Sequence, residues 1–296
     1  MIQVKHMTGS RRLIVNADGF GFGPGATQGI LDAIREGGFI SSVSVNANFP
    51  DAERVLELAK EFPHISIGVH LNPLAGKPCL PAHLVRTLVD DGGNFHNERF
   101  PDLLRKAKIS KVELEAELDA QIGLVHGLIG ARLTHLDSQE NLHLDYWDVF
   151  LRLAEKWKIR QMRNNASLIC LESPNPIRSR LTAYVTKPHV WVMHQYRKLQ
   201  MGKARSAGMR MADRLITVGY AGLGGKSNCQ TWEHVLDNLP PGTYEIYCHP
   251  AYPDQTLRRW AWYCDARASE LALLRNTELR QRAQSLGIEL IGFAQV

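Results

Sequence analysis

One short stretch gives the first indication of the fold, Leu13-Ile14-Val15-Asn16-Ala17-Asp18-Gly19-Phe20-Gly21. Its three leading apolar residues predict a buried strand, and Asn16, Ala17 and Asp18 give that strand a polar carboxyl end. Glycines continue to Gly25, after which apolar residues recur at helical spacing. We therefore predict a strand, a glycine-rich turn and a helix.

The same alternation of strand and helix recurs along most of the chain. Further strands are predicted to end at His70, Asp137 and His249, and one long final helix is predicted over 266–285. Such alternation is typical of an α/β fold, and we expect a single-domain distorted (β/α) barrel of mainly parallel strands wrapped by helices. In such barrels the active site lies at the carboxyl ends of the strands.

The composition is that of an ordinary globular protein. The chain has 296 residues, of which 44% are hydrophobic and 22% charged, and its formal net charge is +5. We expect one domain over 1–296, with a basic, partly helical insertion at about 171–215. The mild positive charge suits an anionic substrate or a membrane surface, whereas nucleic-acid binders usually carry a denser basic face, so we predict no nucleic-acid partner.

The sequence also leads to expectations about cellular location and assembly. No apolar run approaches the about 18 residues of a membrane span, so we predict no transmembrane segment. The five cysteines are scattered without a CxxC pair, which favours reduced thiols. We expect a cytoplasmic protein, and the sequence is compatible with a homo-oligomer.

Reactive side chains stand at the ends of four predicted strands. They are Asp18, His70, His135 with Asp137, and His249. A carboxylate that takes a proton from water, and an imidazole that donates one to a leaving group, suit metal-assisted or general acid–base hydrolysis. A dinucleotide site is disfavoured because Asp18 directly precedes the glycine-rich turn and would repel a pyrophosphate.

Several spaced motifs resemble one known family, the YdjC-like carbohydrate deacetylases. The stretch 13–21 looks like the family's opening Val-Asn-Ala-Asp-Asp-Phe-Gly, and 67–71 is similar to its Ile-Gly-Leu-His-Leu block. The stretch 133–138 resembles the start of its Thr-His-Leu-Asp-Ser-His-His-His-Val-His motif, and 248–250 its Cys-His-Pro end. The resemblance runs almost from end to end.

This resemblance implies a distorted (β/α) barrel that hydrolyses the N-acetyl group of an amino sugar or glycoconjugate with a divalent cation, zinc or magnesium. Asp18 would be the general base and His249 an acid or a substrate contact, so both are predicted catalytic residues. His70 and the residue at position 139, here Gln139, match metal-ligand positions. Four further residues are predicted to contact the substrate: His135, Asp137, Arg163 and His143.

The chain departs from the family pattern at two metal-ligand positions. The second Asp of the opening motif is Gly19, which has no donor atom, and a ligand histidine is Gln139. Three readings follow: a deacetylase with a rebuilt centre, a sugar-binding pseudoenzyme depleted of its metal site, or a different acid–base reaction on a related sugar. In the first, Asp18, His70 and either Asp137 or Glu140 could still hold a metal. We favour a catalytic protein.

Overall fold

The computed structural model describes residues 9–165, 168–169, 185, 188–216, 218, 228–261 and 263–296. Nine strands form one sheet within these residues. They are β1 (Arg11–Phe20), β2 (Ser42–Val45), β3 (Ser66–Leu71), β4 (Leu133–Ser138), β5 (Gln161–Met162), β6 (Leu168–Ile169), β7 (Arg214–Ile216), β8 (Gly242–Cys248) and β9 (Ile288–Leu290).

The strands are parallel and lie in the order β5-β4-β3-β2-β1-β8-β7-β6, with β9 paired to the first residues of β1. The two end strands, β5 and β6, do not pair with each other in the described part of the chain, so the barrel is open there. A parallel bridge between Gln161 and Arg210 narrows the gap. The predicted distorted (β/α) barrel is confirmed.

Ten α-helices surround the sheet in the described residues. They are α1 (Pro24–Arg35), α2 (Val55–Glu61), α3 (Phe100–Arg105), α4 (Lys111–Ile129), α5 (Trp147–Lys156), α6 (Pro188–Ser206), α7 (Cys229–Asp237), α8 (Gln255–Trp260), α9 (Asp265–Arg275) and α10 (Thr277–Ser285). Within the same residues, no helix combines the length and the apolar character needed to cross a membrane.

The structure differs from one prediction about helices and describes only part of the segment in another. The single helix predicted over 266–285 is wrong, because Asn276 is extended between α9 and α10 and its side chain caps α10 by accepting the Glu278 N–H at 2.8 Å. Part of the predicted insertion at about 171–215 is α6, whereas its residues 171–184 and 186–187 lie outside the described residues.

Alternation along the strands separates two environments. Apolar residues of β1 to β4, such as Val15, Val43 and Val69, belong to the main hydrophobic core, which also contains the buried faces of the helices. Most of the intervening residues of these strands are polar, and six of them form a hydrogen-bonded set: Asn16, Asp18, Ser44, His70, His135 and Asp137. A polar interior therefore runs up towards the carboxyl ends of the strands.

A bulge in β1 sets the position of Asp18. The pairing of β1 with β2 shifts between Asp18 and Phe20, so Gly19 is the extra residue, and its φ of 99° lies where side chains are disfavoured. Gly21 is required for a different reason, because a Cβ there would lie 2.9 Å from Ala52 Cα. The glycines of this turn thus serve backbone geometry.

Candidate active site

A cavity of about 360 Å³ opens at the carboxyl ends of the strands. Its walls combine residues that end strands with residues of the loops and helices that follow them. The lining residues with polar or aromatic side chains are Asp18, His70, Ser138, Gln139, Glu140, Asn141, Arg163, Tyr247, His249, Trp260, Tyr263 and Arg267.

Arg163, just after β5, is the centre of the charged network below this cavity. Its side chain is completely buried and binds the Asp18 carboxylate with two parallel hydrogen bonds, from Nη1 to Oδ2 at 2.8 Å and from Nη2 to Oδ1 at 2.7 Å. Nη2 also lies 2.9 Å from Asp137 Oδ2, and Nε donates to Glu245 Oε1 at 2.6 Å. One guanidinium therefore neutralises part of the charge of three buried carboxylates.

Burial and the guanidinium act on these carboxylates with different results. For Glu245, burial dominates and raises the pKa to about 7 despite the contact with Arg163. For Asp137, burial would raise the pKa, but the charges of Arg163 and His70 outweigh it and hold the pKa well below its usual range. Asp137 is therefore an anion, whereas Glu245 titrates near neutral pH.

His70 is held in place by Asp137. Its Nδ1 lies 2.8 Å from Asp137 Oδ1, and the two residues are register partners in β3 and β4. Burial would lower the pKa of His70, but the charges of Asp137 and Asp18 outweigh burial and raise it. A carboxylate on one ring nitrogen fixes the ring orientation and leaves the other nitrogen as the group that can bind a ligand or a metal.

His249 directly follows β8, which neighbours β1 on the side away from β2 and β3. Its Nε2 lies 4.0 Å from Asp18 Oδ2, and its ring contacts Tyr247 and Tyr263 edge-on. Burial and the positive charge of Arg267 lower its pKa well below the ordinary value, so the imidazole is neutral at physiological pH. Neutral His249 and the Asp18 carboxyl group both line the cavity.

The other predicted residues fall into two groups. Gln139 lines the cavity beside Glu140, which has a left-handed φ of 50° and a pKa raised by burial. His135 is fully buried one layer below Asp137, where its ring stacks on Phe293 at 4.0 Å. His143 is fully buried behind the cavity wall, where Ser138 Oγ lies 3.0 Å from its Nδ1.

Neither His135 nor His143 is among the residues that line the cavity. Burial lowers the pKa of each to about 3, so both rings are neutral.

The sequence missed several residues of the site, among them two in β8 and two around the start of α9. Glu245 and Tyr247 precede His249 at alternate positions of β8, so the strand period combined with His249 could have found them. Tyr263 precedes α9 and Arg267 lies in its first turn, and the Arg267 Nη2 donates to the Tyr263 hydroxyl at 3.1 Å. No spacing in the sequence links these two residues to the strand ends.

Three residues of this site could hold a metal ion. Asp18, His70 and Asp137 each offer a ligand atom, and these atoms all lie within 4.8 Å of one another. Two carboxylates and an imidazole are donors that suit a borderline divalent ion. The same carboxylates already accept hydrogen bonds from Arg163, so an ion bound there would share them with the guanidinium.

Comparisons with known proteins agree with the fold and the motifs. A sequence profile described as YdjC-like protein matches residues 12–285, and the chain belongs to this family. A carbohydrate deacetylase of Halalkalibacterium halodurans is 29% identical over 274 residues, covering 91% of this chain and 98% of its own length. Carbohydrate deacetylase 1 of Listeria innocua is 28% identical, covering 95% of this chain and 98% of its own.

A solved structure is similar over nearly the whole chain. The crystal structure of a protein from Enterococcus faecalis, described as a cellobiose-phosphate cleavage protein, has a TM-score of 0.73 and 28% identity. The match covers 97% of this chain and 98% of that one.

Proposed function

We propose that this protein hydrolyses the N-acetyl group of an amino sugar or glycoconjugate. The observation that carries the proposal is the placement of the Asp18 carboxyl group and neutral His249, with 4.0 Å between Oδ2 and Nε2, in a cavity that His70 also lines. The relatives named carbohydrate deacetylases, which match along nearly their full length, support this reaction over the alternatives.

The two residues divide one proton transfer between them. Asp18 takes a proton from water as the water oxygen bonds to the acetyl carbon, and the bond from that carbon to nitrogen then breaks. Neutral His249 carries the proton from Asp18 to the departing nitrogen. Because its pKa is depressed, protonated His249 is a strong acid and gives the proton up readily. The products are acetate and the free amine.

Two further residues act through these groups. Arg163 holds both oxygens of Asp18, which fixes the carboxylate towards the cavity, and Asp137 fixes His70. We assign both as positioning residues, although the sequence predicted them as substrate contacts. A substrate role for His135 and His143 stays a prediction, and the aromatic rings of Trp260 and Tyr263 offer faces for a sugar ring.

We propose zinc over magnesium as the ion that Asp18, His70 and Asp137 would hold. An imidazole donor suits zinc, whereas magnesium prefers an all-oxygen shell that keeps several waters. When bound, the ion would polarise the acetyl carbonyl.

The test is release of acetate from a panel of N-acetylated monosaccharides and oligosaccharides, with and without added zinc. Asp18→Asn and His249→Ala should each lower the rate by about 10²–10⁴ without unfolding the protein, because a general base or acid contributes that much. Asp91→Asn and His64→Ala, at exposed positions outside the cavity, are the matched controls and should keep the wild-type rate. Sugar binding without acetate release would instead support the sugar-binding reading.

A further inference from the structure

Arg267 is a buried cation without a carboxylate partner among the described residues. Its side chain is 2% exposed, and no described acidic group lies within ion-pair distance of it. Its Nε and Nη2 donate to the carbonyl oxygen and the hydroxyl of Tyr263, at 3.3 and 3.1 Å. Nη1 is buried and has no hydrogen-bond partner in the described part of the chain. Such burial of an arginine is rare unless an anion pairs with it.

The acidic residues near Arg267 already have other partners. Both oxygens of Asp18 are held by Arg163. Glu270, one turn further along α9, accepts the backbone N–H of His249 at 2.7 Å. The guanidinium of Arg267, at the wall of the cavity, therefore contacts the rings of Tyr263 and Phe22 but no carboxylate among the described residues.

A second side chain near Arg267, that of Asn46, also has polar atoms without hydrogen-bond partners among the described residues. Asn46 is completely buried, and neither its Oδ1 nor its Nδ2 has a hydrogen-bond partner among the described residues. Both side chains border the space beside Gly19, because a Cβ built on this glycine would lie 3.5 Å from Arg267 Nη1 and 4.0 Å from Asn46 Oδ1. The space beside Gly19 thus has a cation and an amide that can present either its oxygen or its NH₂ group.

We infer that Arg267 and Asn46 form a subsite for a carboxylate on the sugar, so that the substrate is an acidic N-acetylated sugar. The inference rests on the proposed function and adds a substrate class to it. A planar carboxylate accepts hydrogen bonds in the same plane from the guanidinium and from the amide NH₂ group. The gap left by Gly19 has the position of a short side chain, which suits a carboxylate better than a bulkier tetrahedral phosphate.

The first experiment measures binding, so that it is independent of turnover. Three ligands differ only at C6: N-acetylglucosaminuronate with a carboxylate, N-acetylglucosamine with a hydroxymethyl group, and N-acetylglucosamine 6-phosphate. Calorimetric titration should show the uronate binding roughly 10- to 100-fold more tightly than the neutral sugar, the range expected for a hydrogen bond to a charged group. Arg267→Gln should abolish that preference, and Arg267→Lys should keep part of it.

Two variants of equal size at position 19 distinguish an effect of charge from a failure to fold. Gly19→Asp places a carboxylate from the protein itself beside Arg267, so the preference for the uronate should be lost. Gly19→Asn has the same size and the same backbone strain without the charge, and both residue types tolerate positive φ better than most. Gly19→Asn should therefore keep more of the preference than Gly19→Asp.

The outcomes separate this inference from the proposed function. Equal binding of the three ligands, or a uronate preference that survives Arg267→Gln, would overturn the carboxylate subsite. A phosphate ligand that binds best through Arg267 would overturn the carboxylate in favour of a phosphate. Acetate release from neutral sugars with no uronate preference would leave the deacetylase standing and refute the subsite alone. A preference for the uronate without acetate release would support the subsite and refute the deacetylase activity.

Discussion

Replacing Arg163 with Met should destabilise the protein strongly. Arg163 is the cation that contacts Asp18, Asp137 and Glu245, all buried, and its own side chain has no exposure. Met keeps much of the side-chain volume but removes the charge and all the donors. Three carboxylates would then lie in the barrel without a guanidinium.

The size of the effect follows from the burial of these groups. Removing one partner of a buried ion pair costs about 3–5 kcal/mol of unfolding free energy, because the remaining charge is left uncompensated. For a chain of this size each kcal/mol shifts the melting temperature by about 2–4 °C, so we expect a fall of roughly 6–20 °C. Arg152→Met is the matched control, since Arg152 pairs with Glu115 at 2.7 Å on the surface and should cost under about 1 kcal/mol.

The loss of stability caused by Arg163→Met should increase as the pH rises. Without Arg163, the pKa of Glu245, which burial already raises to about 7, should rise further above its value in the unfolded chain. Such a group stabilises the fold at low pH and ceases to do so as the pH rises through the folded-state pKa. The difference in melting temperature between wild type and Arg163→Met should therefore widen from pH 5 to pH 8.

Thermal unfolding followed by circular dichroism in the presence of a chelator is the appropriate assay. The chelator prevents a divalent ion from replacing the lost guanidinium charge. A fall in melting temperature no larger than that of Arg152→Met, or a difference that does not change with pH, would refute this account of the charged network.

Three further predictions concern neighbouring residues. Glu245→Gln should gain stability relative to wild type as the pH rises from 4.5 to about 7, because the raised pKa of Glu245 costs wild type stability in that window; melting curves across the range would test this. The double variant Gly19→Asp with Gln139→His should bind zinc about tenfold more tightly than the parent only when Arg267→Gln is added. Without that third change Arg267, whose Nη1 lies 3.5 Å from a Cβ at position 19, would pair with the new carboxylate. Calorimetric zinc titration measures the affinities, and a gain in the double variant alone would contradict this prediction. His135→Ala should lower the melting temperature, because its ring stacks on Phe293 at 4.0 Å. A raised KM in the folded variant would support the predicted substrate contact, and an unchanged KM would contradict it.

The sequence predicted the barrel and the residues at its strand ends because both depend on local patterns. An apolar run followed by Asp18, His70 or His249 marks the carboxyl end of a parallel strand, and such ends meet at one edge. The break between α9 and α10 was missed, because the capping side chain of Asn276 competes with an otherwise continuous helical pattern.

The charged network was harder to predict because it depends on contacts between distant parts of the chain. Arg163 follows β5 and Glu245 lies in β8, and the two residues are 82 positions apart in sequence. Arg267 reaches the site from α9, where its spacing resembles that of any helical surface residue. The depth of His135 is also a tertiary property, because the alternation that points it inwards does not say in which layer it lies.

The central claim is tested most directly by the fate of the water oxygen. N-acetylated sugars, acidic and neutral, would be incubated with the protein in ¹⁸O-labelled water, and the acetate would be examined by mass spectrometry. Hydrolysis through Asp18 and His249 predicts acetate carrying one labelled oxygen in the wild type, with its amount reduced to background by Asp18→Asn. Absence of acetate from every sugar with the folded wild-type protein, with or without added zinc, would contradict the account.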